Sequence, residues 1–242
     1  MQVLGIDIGG SGMKGAVVDT AAGVLLKDRY RVETPHPATP EAMADVVKSI
    51  VEHFGWQGPI GCTMPCPIKN GKVMTANNIH KSWLGVEAEA LYGSACGQKV
   101  TVINDADAAG LAEIRFGAGK DQKGVVVLIT LGTGIGSALF FEGKLVPNTE
   151  LGQIEVRGKN AERRASARIR KEKDWTWKKW GEGVGEYLAM VEQIIWPDLI
   201  IIGGGVSKSA EKFLPHIETR ATVVPAQLLN NAGIIGAALR AV

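Results

Sequence analysis

Three times in this 242-residue chain an apolar run ends in a glycine-rich turn. Residues 3–8 run into Gly9, Gly10, Ser11 and Gly12. The charge-free stretch 124–141 is broken at Gly132, Thr133 and Gly134. Residues 198–202 run into Gly203, Gly204 and Gly205. Short apolar runs bounded by glycine read as strands, because glycine reaches turn conformations that side chains resist and weakens any helix it interrupts. The first turn predicts an antiparallel meander that continues into a short strand after Gly23. The second predicts two buried strands about a turn. A membrane helix is the weaker reading of residues 124–141, although 18 uncharged residues are long enough to span.

Helices are expected between these strands. Thr39, Pro40 and Glu41 supply an N-cap, a first-turn proline and a first-turn acid. The helix they open runs to about His53, with Met43, Val46, Val47, Ile50 and Val51 on one face. Strands follow at residues 60–64 and 100–103, then a helix over 106–116. After Gly117 the order restarts: hairpin, a helix-rich stretch over 160–195, strand, a helix near 208–213, a strand near 221–224 and a last helix from about 232. The same hairpin–strand–helix–strand–helix layout thus occurs twice. It predicts an α/β fold in two lobes with ligands at strand ends: residues 1–117, residues 118–225, and a C-terminal helix over 226–242 returning to the first lobe.

Composition bounds the function. With 45% hydrophobic and 21% charged residues, disorder is excluded, and a net charge of +2 is too small for the whole surface to bind nucleic acid or membrane. Three cysteines, Cys62, Cys66 and Cys96, make neither a four-cysteine zinc site nor a disulfide framework. No apolar secretion signal opens the chain, so a soluble cytoplasmic protein is the expectation.

The turns carry the chemistry. Glycines let backbone N–H groups approach a phosphate, Lys14 offers a point charge, and Asp7 at the strand end suits Mg²⁺. A plain tight hairpin is the competing reading. The third turn follows a strand and opens a helix, a placement that favours phosphate. Asn104 and Asp105 end a buried strand. Asp105 there is either a base for a substrate hydroxyl or the cap of the next helix, and the roles are compatible.

Charge is concentrated in one place. Residues 157–181 hold ten bases and three acids, including Arg157, Arg163, Arg164, Arg168 and Lys171, on an otherwise slightly acidic chain. Helical spacings of three, four and seven predict a basic stripe. Such a stripe is either a solvated helix face or a track for a linear polyanion. Trp175, Trp177 and Trp180 leave nucleic-acid stacking open, with core packing the commoner use of tryptophan.

Asp7-Ile8-Gly9-Gly10-Ser11, Asn104-Asp105-Ala106-Asp107, Leu131-Gly132-Thr133-Gly134-Ile135-Gly136, Glu150-Leu151-Gly152 and Gly203-Gly204-Gly205 occur in the order used by the ROK family of sugar kinases. The resemblance covers nearly the whole chain. Lys81-Ser82-Trp83-Leu84-Gly85, Pro147-Asn148-Thr149-Glu150 and Asn230-Asn231-Ala232-Gly233 bring it nearer to the family's polyphosphate-using glucokinases. The resemblance implies the two-lobed hexokinase/actin-like fold with a cleft between the lobes. It implies Asp105 as the base that takes the proton of a sugar 6-hydroxyl, and Asn78, Asn104 and Glu150 as sugar ligands. It places phosphate on the turns Gly9–Gly12 and Gly132–Gly134, and nucleotide at Gly203–Gly205.

Two positions depart from the family pattern. Gln153 stands where a zinc-ligating histidine is usual, and Cys66 where glycine is common beside the sugar. Without that histidine and its cysteine cluster, no zinc is expected. Gln153 still offers hydrogen bonds to a hydroxyl, and Glu155 stands in for a third sugar acid. The expected activity is phosphoryl transfer from inorganic polyphosphate, and from ATP, to glucose or mannose with Mg²⁺, the basic segment being the polyphosphate track. An ATP-only hexose or amino-sugar kinase is the alternative. A homodimer, without nucleic-acid or membrane partners, is expected from the resemblance. The family's repressors carry an added DNA-binding region before the first turn, and a turn at residue 9 argues against that reading.

Overall fold

A computed structural model describes residues 1–242. In chain order the elements are β1 Gln2–Gly9, β2 Gly12–Asp19, β3 Val24–Leu25, β4 Tyr30–Val32, α1 Pro40–Phe54, β5 Ile60–Met64, β6 Ile68–Lys69, β7 Lys72–Val73, α2 Ala88–Cys96, β8 Val100–Asn104, α3 Asp105–Phe116, β9 Val125–Leu131, β10 Ile135–Phe141, β11 Lys144–Val146, β12 Glu155–Val156, β13 Lys159–Asn160, α4 Glu162–Ala165, α5 Ala167–Glu172, α6 Trp177–Ile195, β14 Leu199–Gly203, β15 Thr222–Pro225 and α7 Ala232–Arg240. They form two compact units. One holds Met1–Ala112 with Asn231–Val242, the other Glu113–Asn230.

The first unit is built on a sheet in the order β3-β2-β1-β5-β8, with β4 also paired to β2. β2 runs antiparallel to β1, while β5 and β8 run parallel to it. β5 is buried at all five positions, as a strand covered on both faces must be. α1 starts where Thr39 accepts from the Ala42 N–H and stops at Gly55, whose φ of 55° is left-handed. Its face of Met43, Ala44, Val47, Ile50 and Val51 packs into one core with Ile6, Met13, Ile60, Trp83 and Tyr92. α7 packs onto β1 and β5 so closely that backbone meets backbone. A Cβ at Gly61 would lie 1.8 Å from the Ala237 carbonyl oxygen, and one at Gly5 2.1 Å from that of Ile234.

The second unit repeats the plan, with strand order β11-β10-β9-β14-β15 and the same alternation of antiparallel and parallel pairs. The charge-free stretch is therefore the β9–β10 hairpin. No helix is long and apolar enough to cross a membrane. α6 buries Trp180, Val184, Tyr187, Leu188 and Val191 against Ile200, Ile202 and Phe213. Two buried carboxylates stitch loops to this core. Glu113 accepts from the N–H groups of Ala118, Gln227 and Leu228 at 2.9, 3.1 and 2.7 Å. Glu192 accepts from Arg220 and Ala221 where β15 begins.

Two local expectations are corrected. The segment after Gly203–Gly205 is a run of 3-10 turns over Gly205–Lys212, kinked at Ser209, and not an α-helix. The basic segment is not one helix. Ser166 adopts extended geometry (ψ 148°) and caps α5 by accepting from the Ile169 N–H at 3.2 Å, which separates α4 from α5. Arg163 and Arg164 therefore share no helical stripe with Arg168 and Lys171.

Candidate active site

In the first unit, strand pairing sets Asp7 opposite Lys14, with the Lys14 Nζ 3.8 Å from Asp7 Oδ2. Thr63, from the neighbouring β5, accepts from the Ile8 N–H at 2.8 Å and donates to Asp7 Oδ1 at 3.2 Å. Gly233, beside α7's first residue, leaves the carboxylate its room: a Cβ there would stand 2.7 Å from Oδ1. Burial pushes the Asp7 carboxyl above its ordinary range, against the opposing pull of Lys14, Thr63 and Arg29. The turn beyond spans Gly9, Gly10, Ser11 and Gly12. Thr34 donates its hydroxyl to the Gly9 carbonyl, and Arg31 donates to the Ser11 carbonyl at 2.7 Å. Neither contact is readable from sequence, because β4 reaches β2 across an irregular loop.

At the end of β8, Asn104 rather than Asp105 is the principal helix cap. Its buried Oδ1 accepts from the N–H groups of Ala106 and Asp107 at 2.9 and 3.0 Å, and its Nδ2 donates to the Cys66 carbonyl at 3.3 Å. Asp105 accepts from the Ala106 N–H at 2.8 Å and remains half-buried. A carboxylate fixed at a helix start and still open to solvent is placed to take a proton. Cys66 is buried, and Asn78 is exposed in the irregular segment after β7.

The second unit brings its glycine turn and its basic helix together. The Gly132 N–H closes the turn on the Gly134 carbonyl at 3.0 Å. Arg168, in the first turn of α5, donates its backbone N–H to the Gly132 carbonyl at 3.1 Å and its Nε to the Thr133 carbonyl at 3.0 Å. Gly204, with φ 83°, packs against the end of β9, where a Cβ would lie 2.5 Å from the Leu131 carbonyl oxygen. Gly132, Thr133, Arg168, Lys171, Trp177 and Gly205 line one pocket of about 530 Å³. Arg170 is stacked over Trp177 at 3.9 Å. The tryptophans are packing residues: Trp180 is buried, donates to the carbonyls of Ala165 and Ser166, and meets Trp177 and Phe213 edge-on.

The remaining cations differ in their surroundings. Arg157 and Arg164 both pair with Glu186 on α6, Arg157 at 2.7 Å, whereas Arg163 and Lys171 are exposed. Partial desolvation, then the charge of Glu162, raises the Glu150 carboxyl above its ordinary range. Glu162 accepts from the Ile135 N–H at 2.9 Å, and Gly134 leaves it space. Gln153 accepts from the Asn160 amide at 3.2 Å. Glu155 is exposed on β12 opposite Asn160. Glu162 is the acid that the sequence reading missed, since a glutamate inside an arginine run reads as a helix ion-pair partner.

No three His, Cys, Asp or Glu side chains gather into a metal cluster. The Asp7 carboxylate nonetheless fits magnesium, which is commonly held by one or two carboxylates together with water and substrate phosphates. Its charge is disfavoured by burial, and a cation would restore it.

The family model described as the ROK family matches residues 3–154. The chain belongs to the ROK family. Within it, the chain is 52% identical to the polyphosphate glucokinase of Mycobacterium tuberculosis (strain CDC 1551 / Oshkosh) over 239 residues, 98% of this chain and 90% of that one. It matches the crystal structure of inorganic polyphosphate/ATP-glucomannokinase from Arthrobacter sp. strain KM with a TM-score of 0.94 and 48% identity, covering 98% of this chain and 97% of that one. A ROK glucokinase from Streptomyces griseus, solved with glucose and AMPPNP, matches with a TM-score of 0.84 and 26% identity over 98% of each chain. The ROK membership thus agrees with both repeated sheets and both glycine hairpins.

Proposed function

We propose that this chain is a polyphosphate-dependent glucokinase that also accepts ATP. The observation that carries the reading is the joining of Arg168 to the glycine turn at Gly132 and Thr133, inside a pocket whose wall adds Arg170 and Lys171. Backbone N–H groups of a glycine turn suit a terminal phosphate, and a wall of cations suits the phosphates behind it. The strong likeness to relatives named for polyphosphate supports the same donor.

Phosphoryl transfer asks for positioning, charge neutralisation and a proton acceptor. Asp105 takes the proton of the glucose 6-hydroxyl. The freed oxygen attacks the terminal phosphorus, the bond to the bridging oxygen breaks, and the donor leaves one phosphate shorter. Asn78, Asn104, Glu150 and Gln153 hold the other hydroxyls, with Glu162 in the place that Glu155 was given. The turn at Gly9–Gly12, with Lys14, holds donor phosphate, and Gly203–Gly205 holds nucleotide. Asp7 holds magnesium, which supplies charge neutralisation when bound.

One pocket for both donors makes them rivals. ATP is expected to inhibit polyphosphate-driven glucose phosphorylation competitively, raising the polyphosphate KM at constant kcat. Inhibition that lowers kcat at saturating polyphosphate would contradict a shared pocket.

A further inference from the structure

Side chains occupy two carbonyls of the first glycine turn. The Gly9 oxygen accepts from Thr34 and the Ser11 oxygen from Arg31. Carbonyl oxygens repel anions, so engaging them leaves the N–H groups as the part of the turn that meets a phosphate. Arg31 arrives there through backbone pairing: β4 sets it opposite Lys14, as β1 sets Asp7 opposite Lys14 on the other side. Gly12 lets it lie flat, because a Cβ there would stand 2.7–2.9 Å from the guanidinium Nε, Nη2 and Cζ.

The two cations of this turn differ in their electrostatics. Lys14 is paired with the partly buried Asp7, which balances its charge locally. Arg31 has no such acidic partner. Arg31 is exposed, and its bond to Ser11 uses one of the five N–H donors a guanidinium carries. An unneutralised planar fork beside an anion-binding turn matches phosphate oxygens two at a time, which an ammonium does not.

We propose that Arg31, laid against Gly12, is a direct ligand for the phosphates of the donor. The inference rests on the polyphosphate reading above and adds a cation beside the first glycine turn.

Inorganic tripolyphosphate is the probe, titrated calorimetrically into wild type, Arg31→Gln and Arg31→Lys at several salt concentrations, with KM for glucose and for polyphosphate measured alongside. Losing a hydrogen-bonded charge contact weakens Arg31→Gln binding about 10–100-fold. Its salt dependence becomes shallower by roughly one released counterion, and the glucose KM stays within about twofold. Arg31→Lys keeps the wild-type salt dependence and binds several-fold more weakly, because it keeps the charge and loses the fork. Wild-type tripolyphosphate affinity in Arg31→Gln would overturn the proposal. If that variant does not fold, wild-type affinity in Arg31→Lys would overturn it equally. A wild-type chain that makes no glucose 6-phosphate from polyphosphate overturns the donor reading itself. A wild-type chain that does, with Arg31 variants that match it, overturns only the role of Arg31.

Discussion

Arg168 holds the glycine hairpin by two bonds, its backbone N–H on the Gly132 carbonyl and its Nε on the Thr133 carbonyl. The basic helix and the glycine turn are therefore one mechanical piece. Arg168 is a positioning residue as well as a charge, and this separates it from its neighbours. Arg168→Ala is expected to raise KM for both donors, since it loosens the turn that both use. Exposed Arg163 and Lys171 carry charge alone. Replacing both with Ala should raise the polyphosphate KM about tenfold, the ATP KM much less, and flatten the salt dependence. Arg164→Ala should instead lower stability by about 1 kcal/mol, because it removes a half-buried, hydrogen-bonded ion pair with Glu186. Steady-state kinetics at several salt concentrations, with thermal melts, separate these three behaviours.

Asp105→Asn removes the proposed base and retains the shape. The N–H of Ala106 keeps an amide oxygen to bind, and Asn104 continues to cap α3. The variant should fold and bind glucose, with kcat lower by on the order of 10²–10⁴. Turnover near wild type would remove Asp105 from the role.

Asp7 links stability to function with opposite signs. Its carboxyl is raised by burial, so ionising it costs more in the folded chain than in the unfolded one. Stability from this group is present at low pH and is lost as pH rises from the unfolded value through the folded one. Asp7→Asn is therefore expected to raise Tm at neutral pH while cutting kcat at least about 10²-fold, the scale of losing an electrostatic group at the reacting charge. A melt and an assay of one preparation check both halves.

Glu150 makes a pH prediction. In its proposed role as an acceptor for sugar hydroxyls it works ionised, and burial holds its carboxyl above the ordinary range. The glucose KM should begin to climb, as pH falls, at a higher pH than an unperturbed carboxylate would set. Glu150→Gln should raise KM throughout and abolish that limb. The same limb in the variant would assign the titration elsewhere.

The α7 contact is set by glycine. With a backbone oxygen 1.8 Å from any Cβ at Gly61, Gly61→Ala should destabilise the first unit by about 3 kcal/mol or more, since backbone yields less readily than a side chain. Denaturant unfolding measures it directly.

Much of this architecture was legible in the sequence. Both hairpins, α1 with its Thr39 cap, and the duplicated strand order follow from glycine placement and apolar periodicity, which act over a few residues. What escaped depends on distant pairing or on one residue of local chemistry. Spacing alone makes the stripe through Arg163, Arg164 and Arg168 continuous, because it ignores Ser166, whose hydroxyl restarts the helix. The segment after Gly205 looked helical and is 3-10, with a kink at Ser209. α2 carries mostly small residues, with only Ala88 and Tyr92 buried, and leaves little periodic signal. Arg31 and Glu162 reach their turns across 20 and 27 residues of chain, which no local motif records.

The most direct measurement is glucose 6-phosphate formation by purified chain with Mg²⁺ and long-chain polyphosphate, nucleotide removed beforehand, beside the same assay with ATP. Sustained turnover on polyphosphate is expected, with a KM that rises steeply with salt. Turnover on ATP with none on polyphosphate would contradict it, and would leave residues 157–181 as a solvated face around an ATP site.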